Sequence, residues 1–143
     1  MQTRGADSIG DGGAIYHYDM PDKLKLSGRK RPAVINAPPD YDLGIDAATK
    51  LTGKFDWIQL FVKNEAELAK SLPKTFAALE PESMLWITFP KGSSKMQTDL
   101  TRDKGWDSLK TLPLKWVTLI SVNETWSAFG VRPLRKGEEP NFR

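Results

Sequence analysis

Lys91, Gly92, Ser93 and Ser94 place an ammonium, two hydroxyls and a run of backbone N–H groups in one short loop. That set can hold a phosphate or a carboxylate. The surrounding stretch, FPKGSSKMQTDL at residues 89–100, passes from an apolar run through Pro-Lys-Gly-Ser-Ser to Thr-Asp-Leu. It reads as a strand end, a polar loop and a helix start. The more economical reading is therefore a plain connection, because short strand-to-helix loops need Gly and Ser in any case. The glycines of a Walker-type loop are absent, so nucleotide hydrolysis is not supported.

Asn123 and Glu124 form a second polar pair. Their structural reading is a tight turn. Their functional reading is a carboxylate facing Lys91, the two together holding a zwitterionic ligand or each other. Asp99 and Glu124 are far apart in sequence, and no spacing fixes them as an acid–base pair, although a fold can bring them together. Asn36 and Asn64, which follow predicted strands, and Trp126, which opens the last one next to the possible site edge, complete the candidate set.

Much chemistry is excluded. There is no cysteine, and the one histidine, His17, lies between Tyr16 and Tyr18 in a weakly patterned segment. Zinc sites and nucleophilic triads therefore lack their residues, and no metal or cofactor is expected. Twenty-one Lys and Arg against 18 Asp and Glu give a net charge of +3. The densest basic cluster, Arg29-Lys30-Arg31, is too short for a nucleic-acid arm, so nucleic acid is not an expected partner. No apolar stretch is long enough for a secretory signal or a membrane span, which leads to a cytoplasmic expectation.

The elements that must position these residues follow from pattern. Residues 33–35 are a short apolar run cut off by Asn36-Ala37-Pro38-Pro39-Asp40, which predicts a first strand. Residues 41–54 hold two glycines and can supply only a short helix or a marginal edge strand. Residues 55–62, rich in aromatic and β-branched side chains, predict a central strand covered on both faces. Asn64 then caps a helix with Glu67 at the capping-box position and Leu68, Leu72, Phe76 and Leu79 along one stripe. Pro73 predicts a kink or two helical pieces, the second spanning residues 74–79. Glu80-Pro81-Glu82 closes that unit. Residues 84–89 predict a third strand, Thr98 caps a helix running to about Leu109 with Asp99 at its positive end, and residues 114–122 and 126–131 predict two further strands. Only an antiparallel hairpin fits the short connection between those last two. Trp57, Trp86, Trp116 and Trp126 lie in strands, where large aromatic rings are core material, and Trp106 packs the last helix on the sheet.

Strands alternating with helices predict a single three-layer Rossmann-like α/β domain over residues 23–135, its sheet mostly parallel and ending in the hairpin. Residues 1–22 and 136–143 read as flexible ends. With the first four strands parallel, Asn36, Asn64, Lys91, Ser93, Ser94, Asn123 and Glu124 gather at the carboxyl edge, where open α/β sheets bind ligands.

The stretches AVINAPPDY, FDWIQLFVKNEAEL, LEPESMLWITFPKGSSKMQTDLT and SVNETWSAFGVR resemble the bacterial domain of unknown function 3052 family, over about residues 23–135. That resemblance implies no activity. More distantly, the order of elements resembles the class I S-adenosylmethionine-dependent methyltransferase fold with its early elements shortened. Such enzymes place a glycine-rich turn after the first strand and an acidic residue at the end of the second. Here the first strand runs into Asn-Ala-Pro-Pro-Asp, where two prolines delete two donors and add bulk, and only Asp42 and Asp46 stand near the place of the acid. The expectation is a non-catalytic module that binds a protein partner or a small anionic ligand. The alternative is a reduced methyltransferase-like enzyme in which Asn36, Lys91 and Glu124 line a nonstandard pocket.

Overall fold

The computed structural model of the chain describes residues 23–92, 98–101 and 104–141. Five strands, β1 (Pro32–Ile35), β2 (Phe55–Phe61), β3 (Leu79–Pro90), β4 (Leu114–Ser121) and β5 (Trp126–Pro133), form one sheet in the order β1-β2-β3-β5-β4. β1, β2 and β3 pair in parallel, β5 lies antiparallel to β3, and β4 antiparallel to β5. β4 therefore points the same way as β1 to β3, and four carboxyl ends meet at one edge of a mixed sheet.

Both faces of the central strands are buried. Ile58, Leu60, Leu85, Ile87, Phe129 and Val131 build the core on one face, and the single complete helix among the described residues, α1 (Glu65–Ala77), lays Leu68 and Leu72 against it. Trp57, Phe61, Met84, Trp86, Trp126 and Ala128 build the core on the other. There the covering chain, residues 24–29 and 37–45, is irregular. Leu24 O accepts both indole N–H groups, at 2.6 Å from Trp57 Nε1 and 2.8 Å from Trp86 Nε1, so two buried rings pin that segment. Gly130 makes room for this arrangement, since a Cβ there would stand 2.7 Å from Trp86 Cζ3.

α1 starts as its sequence requires. Asn64 Oδ1 accepts the Glu67 N–H at 2.9 Å, and Glu67 Oε1 accepts the Lys63 N–H at 2.8 Å. At the other end Lys54 Nζ donates to Ala77 O. Of the kink or two pieces expected at Pro73, the division into two pieces does not occur, and one helix runs through it to Ala77. Pro73 and Ala69, whose carbonyl loses its partner, are both exposed, so water takes the lost bond. Nor does Glu80-Pro81-Glu82 end a unit. β3 already begins at Leu79, and the register jumps from Phe55↔Leu79 to Trp57↔Met84, leaving Pro81 outside the ladder.

The helix expected from Thr98 to Leu109 is not there. Among the described residues of that stretch the only helical piece is a 3-10 turn, Asp107–Thr111. Gly105 has a φ of +96°, in the left-handed region that an α-helix cannot use. Trp106 fixes the connection instead. Its ring stacks on Phe129 with centroids 4.4 Å apart and meets Phe89 edge-on, while Nε1 donates to Thr101 O. Trp106 thus packs on the sheet as expected, from a loop.

Residues 41–54 prove to be a marginal edge element. Ala48 makes one parallel bridge to the free side of β1, exchanging bonds with Val34 N at 2.8 Å and Pro32 O at 3.0 Å. At the opposite edge Asn141 accepts from Trp116 N and donates to Trp116 O, so a side chain closes part of the β4 ladder. No described helix is long and apolar enough to cross a membrane.

Candidate functional site

Of the residues expected at the carboxyl edge, Asn64, Lys91, Asn123 and Glu124 follow the ends of β2, β3 and β4, largely as parts of the scaffold. Lys91 Nζ donates to Ser121 Oγ at 2.6 Å and Lys91 N to Thr125 O at 2.7 Å, so the ends of β3 and β4 are tied together. Asn123 Oδ1 accepts from both Thr125 N and Trp126 N, at 2.9 Å each, and thereby closes the turn between β4 and β5. Asp99 Oδ1 accepts the Glu65 N–H at 2.7 Å. Its carboxylate therefore sits at the positive end of α1, joining it to Asn64, rather than at the start of a helix of its own. Trp126 is buried, with its ring edge-on to Phe61 at 5.0 Å. Glu124 is exposed in the turn. Ser93, Ser94 and His17 lie outside the described residues.

Asn36 stands apart from that group, at the end of β1 and with a φ of 62°. The left-handed residue starts a reversal: Tyr41 N donates to Pro38 O at 3.0 Å, and the turn through the two prolines lays Tyr41 back on the sheet. Tyr41 packs against Phe61 at 4.7 Å between ring centroids. Its hydroxyl donates to Gln59 Oε1 at 2.8 Å, and Gln59 Nε2 donates to Thr88 Oγ1 at 3.1 Å. Gln59 and Thr88 are fully buried, so this is a satisfied polar row inside the tryptophan face. Burial pushes the Tyr41 phenol up to about 12, with the bond to Gln59 opposing.

Beside that turn opens a cleft of about 320 Å³, lined among others by Val34, Asn36, Tyr41, Asp42, Ile45 and Thr49. Asp42 Oδ1 accepts the Gly44 N–H at 2.7 Å, which sets the shape of the rim. Ile45 is one of two large apolar side chains left exposed among the described residues. The cleft can offer an apolar wall, an amide and a carboxylate to a ligand. The described residues contain no group of three metal-ligating side chains.

Tyr41, Gln59, Thr88 and Thr49 were not singled out by sequence reasoning, and Asp42 only through its place in the chain. The available signal was Gln59 and Thr88, two polar residues inside otherwise apolar strands. Such residues are kept when something pairs with them.

No family model and no curated protein matches the chain, so the motif-level resemblance to the domain of unknown function 3052 family gains no support. Solved structures do match. The mitomycin 7-O-methyltransferase MmcR superposes with a TM-score of 0.57 at 8% identity, over 85% of this chain and 55% of that one. TehB from Haemophilus influenzae gives 0.51 at 9%, over 85% and 63%. A ribosomal protein L11 methylase from Lactobacillus delbrueckii subsp. bulgaricus gives 0.51 at 13%, over 89% and 84%. The chain thus spans little more than half the length of the first two. With its mixed five-stranded sheet and single described helix, it has a distant methyltransferase-like α/β fold.

Proposed function

We propose that this chain is a non-catalytic binding module on a methyltransferase-like sheet, taking a small ligand or a partner's side chain in the cleft beside β1. The observation that carries this reading is the turn after β1. Where a methyltransferase would let backbone approach its cofactor through glycines, Pro38 and Pro39 turn the chain so that Tyr41 fills the space over Gln59 and Phe61. The polar groups at the carboxyl edge support it too, because Asn64, Asp99 and Asn123 each hold a backbone N–H of a helix end or a turn.

A thermal-shift screen of the full chain against nucleotides, S-adenosylmethionine, S-adenosylhomocysteine, sugar phosphates and amino acids tests it. Ligands of the cleft raise the melting temperature of the wild type and not of Ala47→Trp, which fills the cleft from its wall. A ligand whose shift survives that substitution contradicts the assignment. Turnover of any methyl donor contradicts the non-catalytic role. The second reading, a reduced methyltransferase-like enzyme, is favoured by one observation: the cleft opens at the carboxyl end of the first parallel strand, where such folds bind ligands.

A further inference from the structure

A second cleft, of about 240 Å³, lies at the opposite edge, where β3 begins and β5 ends, and is lined by Lys25, Arg29, Glu82, Ser83, Arg132 and Arg135, with Met84 as part of its apolar wall. The tripeptide Arg29-Lys30-Arg31 divides here. Lys30 N and Arg31 N both donate to the Asp56 carboxylate, and the Arg31 guanidinium lies over the Phe55 ring, 4.9 Å from its centroid. Arg29 alone turns to this cleft.

The charges in it are unequally matched. Glu138 takes two bonds from Arg132, at 2.8 and 2.7 Å, and one from the Arg135 N–H, and Lys115 Nζ stands 3.8 Å from it. Arg135 reaches Glu82 only at 3.5 Å, with the two side chains 57% and 73% exposed, a contact that solvent weakens. Arg29 donates to two backbone carbonyls, Lys25 O and Glu82 O, each at 3.3 Å, and has no carboxylate partner among the described residues. Lys25 has no described ion-pair partner either. Of the four cations lining the cleft, Arg132 and Arg135 have carboxylate partners and Lys25 and Arg29 have none among the described residues, and these two unmatched charges are held in place: the loop that carries them is pinned at Leu24 by Trp57 and Trp86.

We propose that this cleft binds a small phosphate-bearing ligand, its oxyanion held by Lys25, Arg29 and Arg135. A dianion matches the surplus of two positive charges better than a single carboxylate does. The volume falls just below the roughly 300 Å³ at which pockets for drug-sized ligands begin, which favours a compact ligand. Glu82 and Glu138 on the rim oppose a long polyanion such as nucleic acid.

The test is an amide NMR titration of the full chain with inorganic phosphate, at ionic strength held constant with chloride. Saturable shifts are expected at Arg29, Ser83 and Arg135. The double substitution Arg29→Gln/Arg135→Gln lowers the affinity by at least about tenfold. The exposed, distant Lys63→Gln leaves it unchanged. Ala47→Trp, which closes the other cleft, also leaves it unchanged, so failure of the first site and failure of this one are read separately. Linear, unsaturated shifts, unchanged affinity in the double variant, or saturable binding of a DNA oligonucleotide or an acidic peptide in place of phosphate would overturn the proposal.

Discussion

The two faces of the sheet solve the same burial problem in different ways. One is closed by α1, whose Leu68 and Leu72 sink into an apolar core, together with Leu100, Trp106 and Leu109 of the connection that follows β3. The other is closed by irregular chain, held down by side-chain hydrogen bonds: two indoles to Leu24 O, and Tyr41 to Gln59 to Thr88. A helix covers a sheet by apolar contact alone and leaves little to bind. Loop cover needs polar anchors and leaves gaps at its ends, and residues of the tryptophan-face core, or packed on it, line both clefts: Met84 and Val117 in one, Val34, Tyr41 and Leu43 in the other. The difference points to the loop-covered face as the one that carries recognition.

Truncation on each side is the strongest way to break that contrast. Trp86→Ala removes a fully buried ring and one of the two donors to Leu24 O, and costs about 3–5 kcal/mol by urea denaturation. Leu72→Ala on the helix face costs a similar about 2–5 kcal/mol. The two differ in ligand response. Trp86→Ala frees the segment carrying Lys25 and Arg29 and abolishes phosphate binding at a temperature where the protein remains folded, whereas Leu72→Ala leaves it intact. Equal loss in both variants would erase the distinction. Gly130→Ala comes next. Met84 can move away from the added methyl, but the buried Trp86 ring cannot, and the overpacking costs about 1–3 kcal/mol in the same denaturation measurement.

Smaller effects sharpen the picture of the polar row. Tyr41→Phe leaves Gln59 Oε1 without its donor and costs about 1 kcal/mol. Because folding raises the Tyr41 pKa from its ordinary 10 to about 12, the neutral phenol stabilises the fold fully below pH 10, and that contribution is lost as the pH rises toward 12. An ultraviolet titration should show one tyrosine ionising near pH 12, absent in the variant. The smallest effect concerns Glu138, whose carboxyl is lowered to about 2, first by the bonds from Arg132 and then by the Arg135 N–H. Its contribution is complete above its ordinary 4.5 and is lost as the pH falls toward 2. Glu138→Gln should therefore be less stable than the wild type at pH 7 and indistinguishable from it near pH 2, followed by thermal melts across that range.

Much of this architecture was legible before the structure. The apolar runs of β1 to β5, the cap at Asn64 and the meeting of carboxyl ends all follow from residue pattern, because each rests on local chemistry and strand polarity. The failures share one cause, tertiary contacts that outweigh local preference. Thr98 and Asp99 carry a helix-start signal, yet Asp99 is taken by the N-terminus of α1 and Trp106 by Phe89 and Phe129, and Gly105 stops any helix between them. Pro73 signals a break, but on an exposed helix side the lost bond falls to water. The clefts were the least legible part. Lys25, Arg29, Ser83, Arg132 and Arg135 come from three separate stretches, and no spacing rule joins them. Gln59 and Thr88 were readable as anomalies, though not the Tyr41 that pairs with them across an irregular loop.

The most direct test of the central claim is an NMR time course of the full chain with S-adenosylmethionine, watching the donor's methyl resonance and the protein amides together. The account predicts that the methyl signal keeps its intensity for as long as it does in buffer. Steady conversion to S-adenosylhomocysteine, with shifts at Asn36, Asp42 and Thr49, would contradict it and make the cleft beside β1 an active site.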